Sequence, residues 1–164
     1  MQGGTGSRSE FETQPDFVPD KYESGTPNTI GIAGLGAGAR FILETGIGAV
    51  RSKEEALTRM LIAGLASIPG VEVYGVRDAA RQTTSVSFTI SGMSPSEVAL
   101  KLDEDYRIMA RPGLQCAPAA HKTIGTFPEG TVRLSPGFFT TQEEIKYSIT
   151  AVAEIASSHK ERLS

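Results

Sequence analysis

The chain holds 164 residues, 39% of them hydrophobic and 21% charged, with a formal net charge of −3, which is enough for one soluble domain with a real core. The acidic balance leaves no basic excess to neutralise phosphates, and no Lys and Arg cluster is interleaved with aromatics, so nucleic acid is excluded as a partner. The apolar stretch Ile30 to Leu43 is broken by glycines and Arg40, and Met1 to Phe11 lacks the apolar centre of a secretory signal, so no membrane association is expected; the single cysteine, Cys116, fits a reducing cytoplasm.

In chain order, residues 1–28 are rich in Gly, Pro and polar residues without helical or strand period, and read as an extended arm that serves something other than a local core. Residues 29–164 read as the folded domain. Ile30 to Leu43 predicts a helix whose glycines imply close backbone packing against another surface. Ser52 with Glu55 forms a capping box before the apolar stripe Leu57, Met60, Leu61, Gly64, Leu65 and Ile68, which stops at Pro69-Gly70. Val71 to Tyr74 and Ser85 to Ile90 predict strands. Ser94 with Glu97, and Pro95 in the first turn, opens a helix running to about Tyr106. Ile108 to Ala110 and Thr131 to Ser135 predict further strands, and Thr140 with Glu143 caps a last helix with Ile145, Ile149, Val152 and Ala156 on one face. The fold class is therefore α+β, a small mixed or antiparallel sheet covered by helices on one side. Arg111 to Gly130 shows no period and predicts a long functional loop.

Several residues could carry chemistry. Cys116 is a candidate nucleophile whose thiolate Arg111 and Lys122 would favour; a small buried hydrophobe is the plainer alternative. His121 invites a Cys–His pair, but catalytic partners meet in space rather than in local sequence. One Cys and two His do not make a zinc-ligand spacing, so no metal is expected. The glycine-rich runs Gly3 to Ser7 and Gly31 to Gly38 could present backbone N–H groups to phosphate, yet neither is a Walker loop or a dinucleotide fingerprint. Arg133, inside an apolar strand, either faces solvent or holds a carboxylate with its fork.

Gly3-Gly4-Thr5-Gly6-Ser7, Tyr22-Glu23-Ser24-Gly25-Thr26-Pro27-Asn28, Arg111-Pro112-Gly113-Leu114-Gln115-Cys116-Ala117-Pro118, Thr131-Val132-Arg133-Leu134-Ser135 and Phe139-Thr140-Thr141 follow one another in an order that resembles the C-terminal part of cysteine desulfurases, within the class V aminotransferase and selenocysteine lyase-like enzymes. The resemblance implies the small domain of a fold-type-I enzyme that uses pyridoxal 5′-phosphate to remove sulfur from L-cysteine, leaving alanine. By motif position it makes Cys116 the sulfur acceptor that becomes a persulfide, Arg133 the holder of the substrate carboxylate, and Thr26 with Gly25 a contact to the cofactor phosphate of the partner subunit in a homodimer. Gly4 and Thr5 fall near the same phosphate, and a sulfur-acceptor protein is an implied partner. The chain departs from the pattern in several places. No equivalent of the stretch that carries the cofactor lysine in the family is identified, His121-Lys122 is not that motif, Gln115 stands where His is common, and Thr140 where Asn is common. The domain that supplies the lysine is thus expected elsewhere, and these residues alone should not catalyse. Two alternatives stay open: another class V reaction with Cys116 structural, and a stand-alone dimerisation or binding module.

Overall fold

The computed structural model describes residues 6, 8 and 10–163, with side chains up to 160. Its contacts divide the chain into two compact units, Met1–Ile47 and Gly48–Ser164.

In the first unit a short 3-10 turn, Asp20–Tyr22, precedes helix α1, Thr29–Thr45. Gln14 Nε2 ties the turn by donating to the carbonyls of Asp20 at 2.8 Å and Glu23 at 3.0 Å. Asn28 caps α1, its Oδ1 accepting from the Gly31 amide at 2.9 Å. A Cβ on Gly31 would strike that carboxamide, which explains one of the helix glycines. Close packing is not found for the others in this chain: α1 has no buried residue, and open space surrounds Gly34 and Gly38.

The second unit is built on four antiparallel strands, β1 Val71–Tyr74, β2 Val86–Ile90, β3 Arg111–Gly113 and β4 Thr131–Leu134, in the order β1-β2-β4-β3. Helices α2 Ile47–Ala66, α3 Pro95–Tyr106 and α5 Gln142–Leu163 supply the rest of the core. Strand alternation sends Val86, Phe88, Ile90 and Val132 into it, against Leu57, Leu61 and Leu65 of α2, Val98 and Leu102 of α3, and Ile145 and Val152 of α5. Gly64 of α2 leaves room for the Ile149 side chain of α5, which a Cβ would strike. At the end of α3, Tyr106 donates its hydroxyl to Glu154 of α5 at 2.8 Å; burial and then this carboxylate push the phenol up to about 12.

Three expectations need correction. Ser52 lies inside α2, which starts at Ile47, and Glu55 pairs with Arg59 one turn on instead of reaching back to a cap. The cap of α5 sits one residue later than expected: the Thr141 hydroxyl accepts from the Glu144 amide at 3.2 Å and Glu144 accepts from the Thr141 amide at 2.7 Å. The strand expected at Ile108 to Ala110 is displaced to Arg111–Gly113, so the stretch from Arg111 to Gly130 is not a structureless loop but holds β3 and the short helix α4, Pro118–Thr123.

Candidate functional site

The chemistry-bearing residues of the second unit gather on the β3–β4 pair and the segment between them. Arg111 lies opposite Arg133, and Gly113 opposite Thr131. At that end Gly130 turns with φ +85°, and a Cβ there would run into the backbone of Gly113 and Leu114, so two glycines let the strands close. Beyond Gly113 the chain turns sharply: Gln115 and Cys116 both take left-handed backbone, with φ 51° and 62°. The Ala117 amide donates to the Leu114 carbonyl at 2.9 Å, and α4 follows with Pro118 in its first turn. This turn leaves Cys116 exposed. It is not the buried small hydrophobe that the plainer reading of a free cysteine would give.

His121 is occupied otherwise. Its ring is buried, Nδ1 meets the Thr126 hydroxyl at 2.7 Å, and its carbonyl accepts from the amides of Thr126 and Phe127. It pins the segment together as a satisfied structural histidine. The Lys122 amine lies over the Phe127 ring, 5.1 Å from its centre.

Arg133 sits on the face of β4 turned away from the core, since its neighbours Val132 and Leu134 are buried and pair with the buried Phe88 and Val86. Across the strands, Ser87 and Arg111 flank it on the same face. Two arginines at directly paired positions repel each other unless an anion lies between or beside them. The Nε of Arg133 is buried without a hydrogen-bond partner, a state that costs free energy unless a ligand or solvent completes it. Two residues back along the same face, the fully buried Thr131 also has an unpartnered hydroxyl. Two arginine guanidinium groups on one face of the sheet suit a carboxylate.

In the first unit, Gly25 has φ +86° and Gly6 φ +76°, and a Cβ on Gly6 would meet the Gly25 carbonyl. The backbones of Gly6 and Gly25 therefore come into close contact, with Thr26 exposed beside Gly25. Gly4 and Thr5 lie outside the described residues. Among the described residues no group of three or more His, Cys, Asp or Glu is placed to hold a metal, and no single helix is long and apolar enough to cross a membrane.

Sequence reasoning singled out Cys116 and Arg133 and missed the company they keep. Arg111 drew notice only as a neighbour of the cysteine in sequence, whereas pairing sets it opposite Arg133. The orphaned Thr131 hydroxyl carries no local sequence signal, because its surroundings depend on the register of β3 against β4.

The family described as Aminotransferase class-V matches residues 2–147. A probable cysteine desulfurase of Methanothermobacter thermautotrophicus is 38% identical over 142 residues, covering 86% of this chain and 35% of that protein. The apo structure of a cysteine desulfurase from Thermococcus onnurineus superposes with a TM-score of 0.80 at 32% identity, covering 96% of this chain and 39% of that one. The Escherichia coli cysteine desulfurase CsdA, solved with an S-sulfonic acid, gives 0.71 at 26% identity over 83% and 32% of the two chains. The chain thus spans about a third of the length of these proteins.

Proposed function

The chain belongs to the aminotransferase class-V family, and from that premise we propose that it is the part of a pyridoxal-phosphate-dependent cysteine desulfurase that carries the sulfur-accepting cysteine and the carboxylate site of the substrate. The observation that carries this reading is that the strand pair β3–β4 bears both an exposed Cys116, on a left-handed turn just past β3, and, on β4, Arg133, whose buried Nε lacks a partner. In this reading residues 29–164 are the small domain and residues 1–28 an arm that reaches a neighbouring subunit of a homodimer. The remaining length of the relatives supplies the lysine that holds the cofactor, so the chain alone does not turn over.

The residues present fit one end of the cofactor. Gly25, in a positive-φ turn that abuts Gly6, leaves backbone N–H groups free of Cβ crowding, and the Thr26 hydroxyl is exposed beside it; both are donors of the type a phosphate takes. Pyridoxal phosphate, when bound, supplies the electron sink for the carbon chemistry. The work of this chain is different. The Arg133 guanidinium takes the substrate α-carboxylate in two parallel hydrogen bonds and so orients the amino acid. The Cys116 thiolate attacks the sulfur of the substrate: an S–S bond forms, the Cβ–S bond breaks, and its electron pair stays with the carbon fragment, which is protonated and leaves as alanine. Cys116 is left as a persulfide for transfer to a sulfur acceptor. The exposure of the thiol suits that second step, which needs access by another thiol.

In the full-length enzyme, Cys116→Ala is expected to lower alanine formation from L-cysteine by roughly a thousandfold or more, as loss of a nucleophile does. Full turnover in that variant would return Cys116 to a structural role and leave another class V reaction as the function.

A further inference from the structure

The turn that presents Cys116 is held by its neighbour. Gln115 and Cys116 follow each other in the left-handed region, where a Cβ crowds the next carbonyl, so two such residues in succession persist only when their surroundings over-determine the geometry. The main chain contributes one bond across the turn, from the Ala117 amide to the Leu114 carbonyl. The Gln115 side chain contributes two more: Nε2 donates to the carbonyl of Arg111 at 3.2 Å and to that of Thr131 at 3.3 Å. A carboxamide nitrogen has two hydrogens to give, and both are engaged. One acceptor is on β3 and the other on β4, two residues from Arg133. The side chain therefore couples the residue before the thiol to the strand that carries the guanidinium.

We infer that Gln115 is a positioning residue, which by bridging the Arg111 and Thr131 carbonyls fixes Cys116 relative to Arg133, so that the thiol meets the sulfur of an amino acid held by its carboxylate. This rests on Cys116 being the sulfur acceptor. Gln115 itself touches neither substrate nor reacting atoms in this account. Its removal should leave substrate binding alone and slow the chemical step, since misplacing a nucleophile by a fraction of its reach lowers rate without altering ground-state binding.

Two variants separate the possibilities: Gln115→Glu keeps the shape and loses both donors, and Gln115→Met keeps the volume without polar contact. On the purified chain, hydrogen exchange at the amides of residues 114–118 should quicken by about tenfold in both, while the β2 amides keep their protection. In the full-length enzyme, kcat for alanine formation should fall by about tenfold to a hundredfold, with KM for L-cysteine within about twofold. Unchanged kcat in both variants, beside an inactive Cys116→Ala, would overturn the role of Gln115 and leave the sulfur-acceptor reading intact. Full activity of Cys116→Ala would instead remove the reading on which it rests. Loss of cooperative melting, with exchange raised in β2 as well, would also overturn it, because Gln115 would then be holding the fold rather than the thiol.

Discussion

At Gly130 the backbone turns through positive φ with the backbone of Gly113 pressed against the place where a Cβ would be. Backbone cannot step aside as the end of a flexible side chain can. Gly130→Ala is therefore expected to cost about 2 kcal/mol or more, from strain and overlap together. Gly137→Ala, where nothing lies within 4 Å, serves as the control and should shift the denaturation midpoint little. Arg133 offers a second test at this scale. Lysine keeps the charge but loses the planar fork, so Arg133→Lys in the full-length enzyme should raise KM for L-cysteine about tenfold, measured by steady-state alanine formation. An unchanged KM would mean that the orphaned Nε serves no carboxylate.

The capped helices respond to pH in a direction that their hydrogen bonds set. Glu97 accepts from the hydroxyl and amide of Ser94, and Glu144 from the amide and hydroxyl of Thr141; these bonds hold both carboxyls below their ordinary value of 4.5. A carboxyl whose folded value is depressed adds stability that is full above its unfolded value and is lost as pH falls through the folded one. Thermal melts of the second unit should therefore be flat above about pH 5 and fall below it, and Ser94→Ala with Thr141→Ala should flatten that fall. Each cap removed should also lower stability by about 1 kcal/mol at neutral pH. A melt insensitive to both substitutions would contradict the caps. These elements also mark how far local sequence goes. Ser94-Pro95-Ser96-Glu97 is unambiguous, and its helix was legible from this cap to about Tyr106. Thr140-Thr141 before Glu143-Glu144 offers two registers, and only the observed bonds choose Thr141 with Glu144. Ser52 and Glu55 match the same pattern inside a helix, because Ile47 to Val50 already turn helically and Glu55 is drawn to Arg59. Arg111-Pro112-Gly113 lacks every feature of an isolated strand, and becomes one only because β4 lies beside it. For the same reason Cys116 and Arg133 were legible as candidates, while the pairing of Arg111 with Arg133, the two hydrogen bonds of Gln115 and the unpartnered hydroxyl of Thr131 were not.

For the whole molecule, α1 is the element least at home in the chain. Its Ile30, Leu35 and Leu43 are 86%, 73% and 82% exposed, and no residue of the helix is buried. An apolar face of this kind associates in water. The isolated chain is expected to form larger species as concentration rises in light scattering, whereas a clean monomer across the range would favour a self-contained module. The chain spans about a third of the proteins it resembles, and our account gives the rest of that length the cofactor lysine. The central claim is that sulfur from L-cysteine comes to rest on Cys116. It is tested most directly by treating the full-length enzyme with L-cysteine, digesting it without reductant, and weighing the peptide that holds Cys116. The account predicts one added sulfur atom on that peptide, removed by reductant, together with alanine in solution. Alanine formed while that peptide keeps its original mass would contradict it.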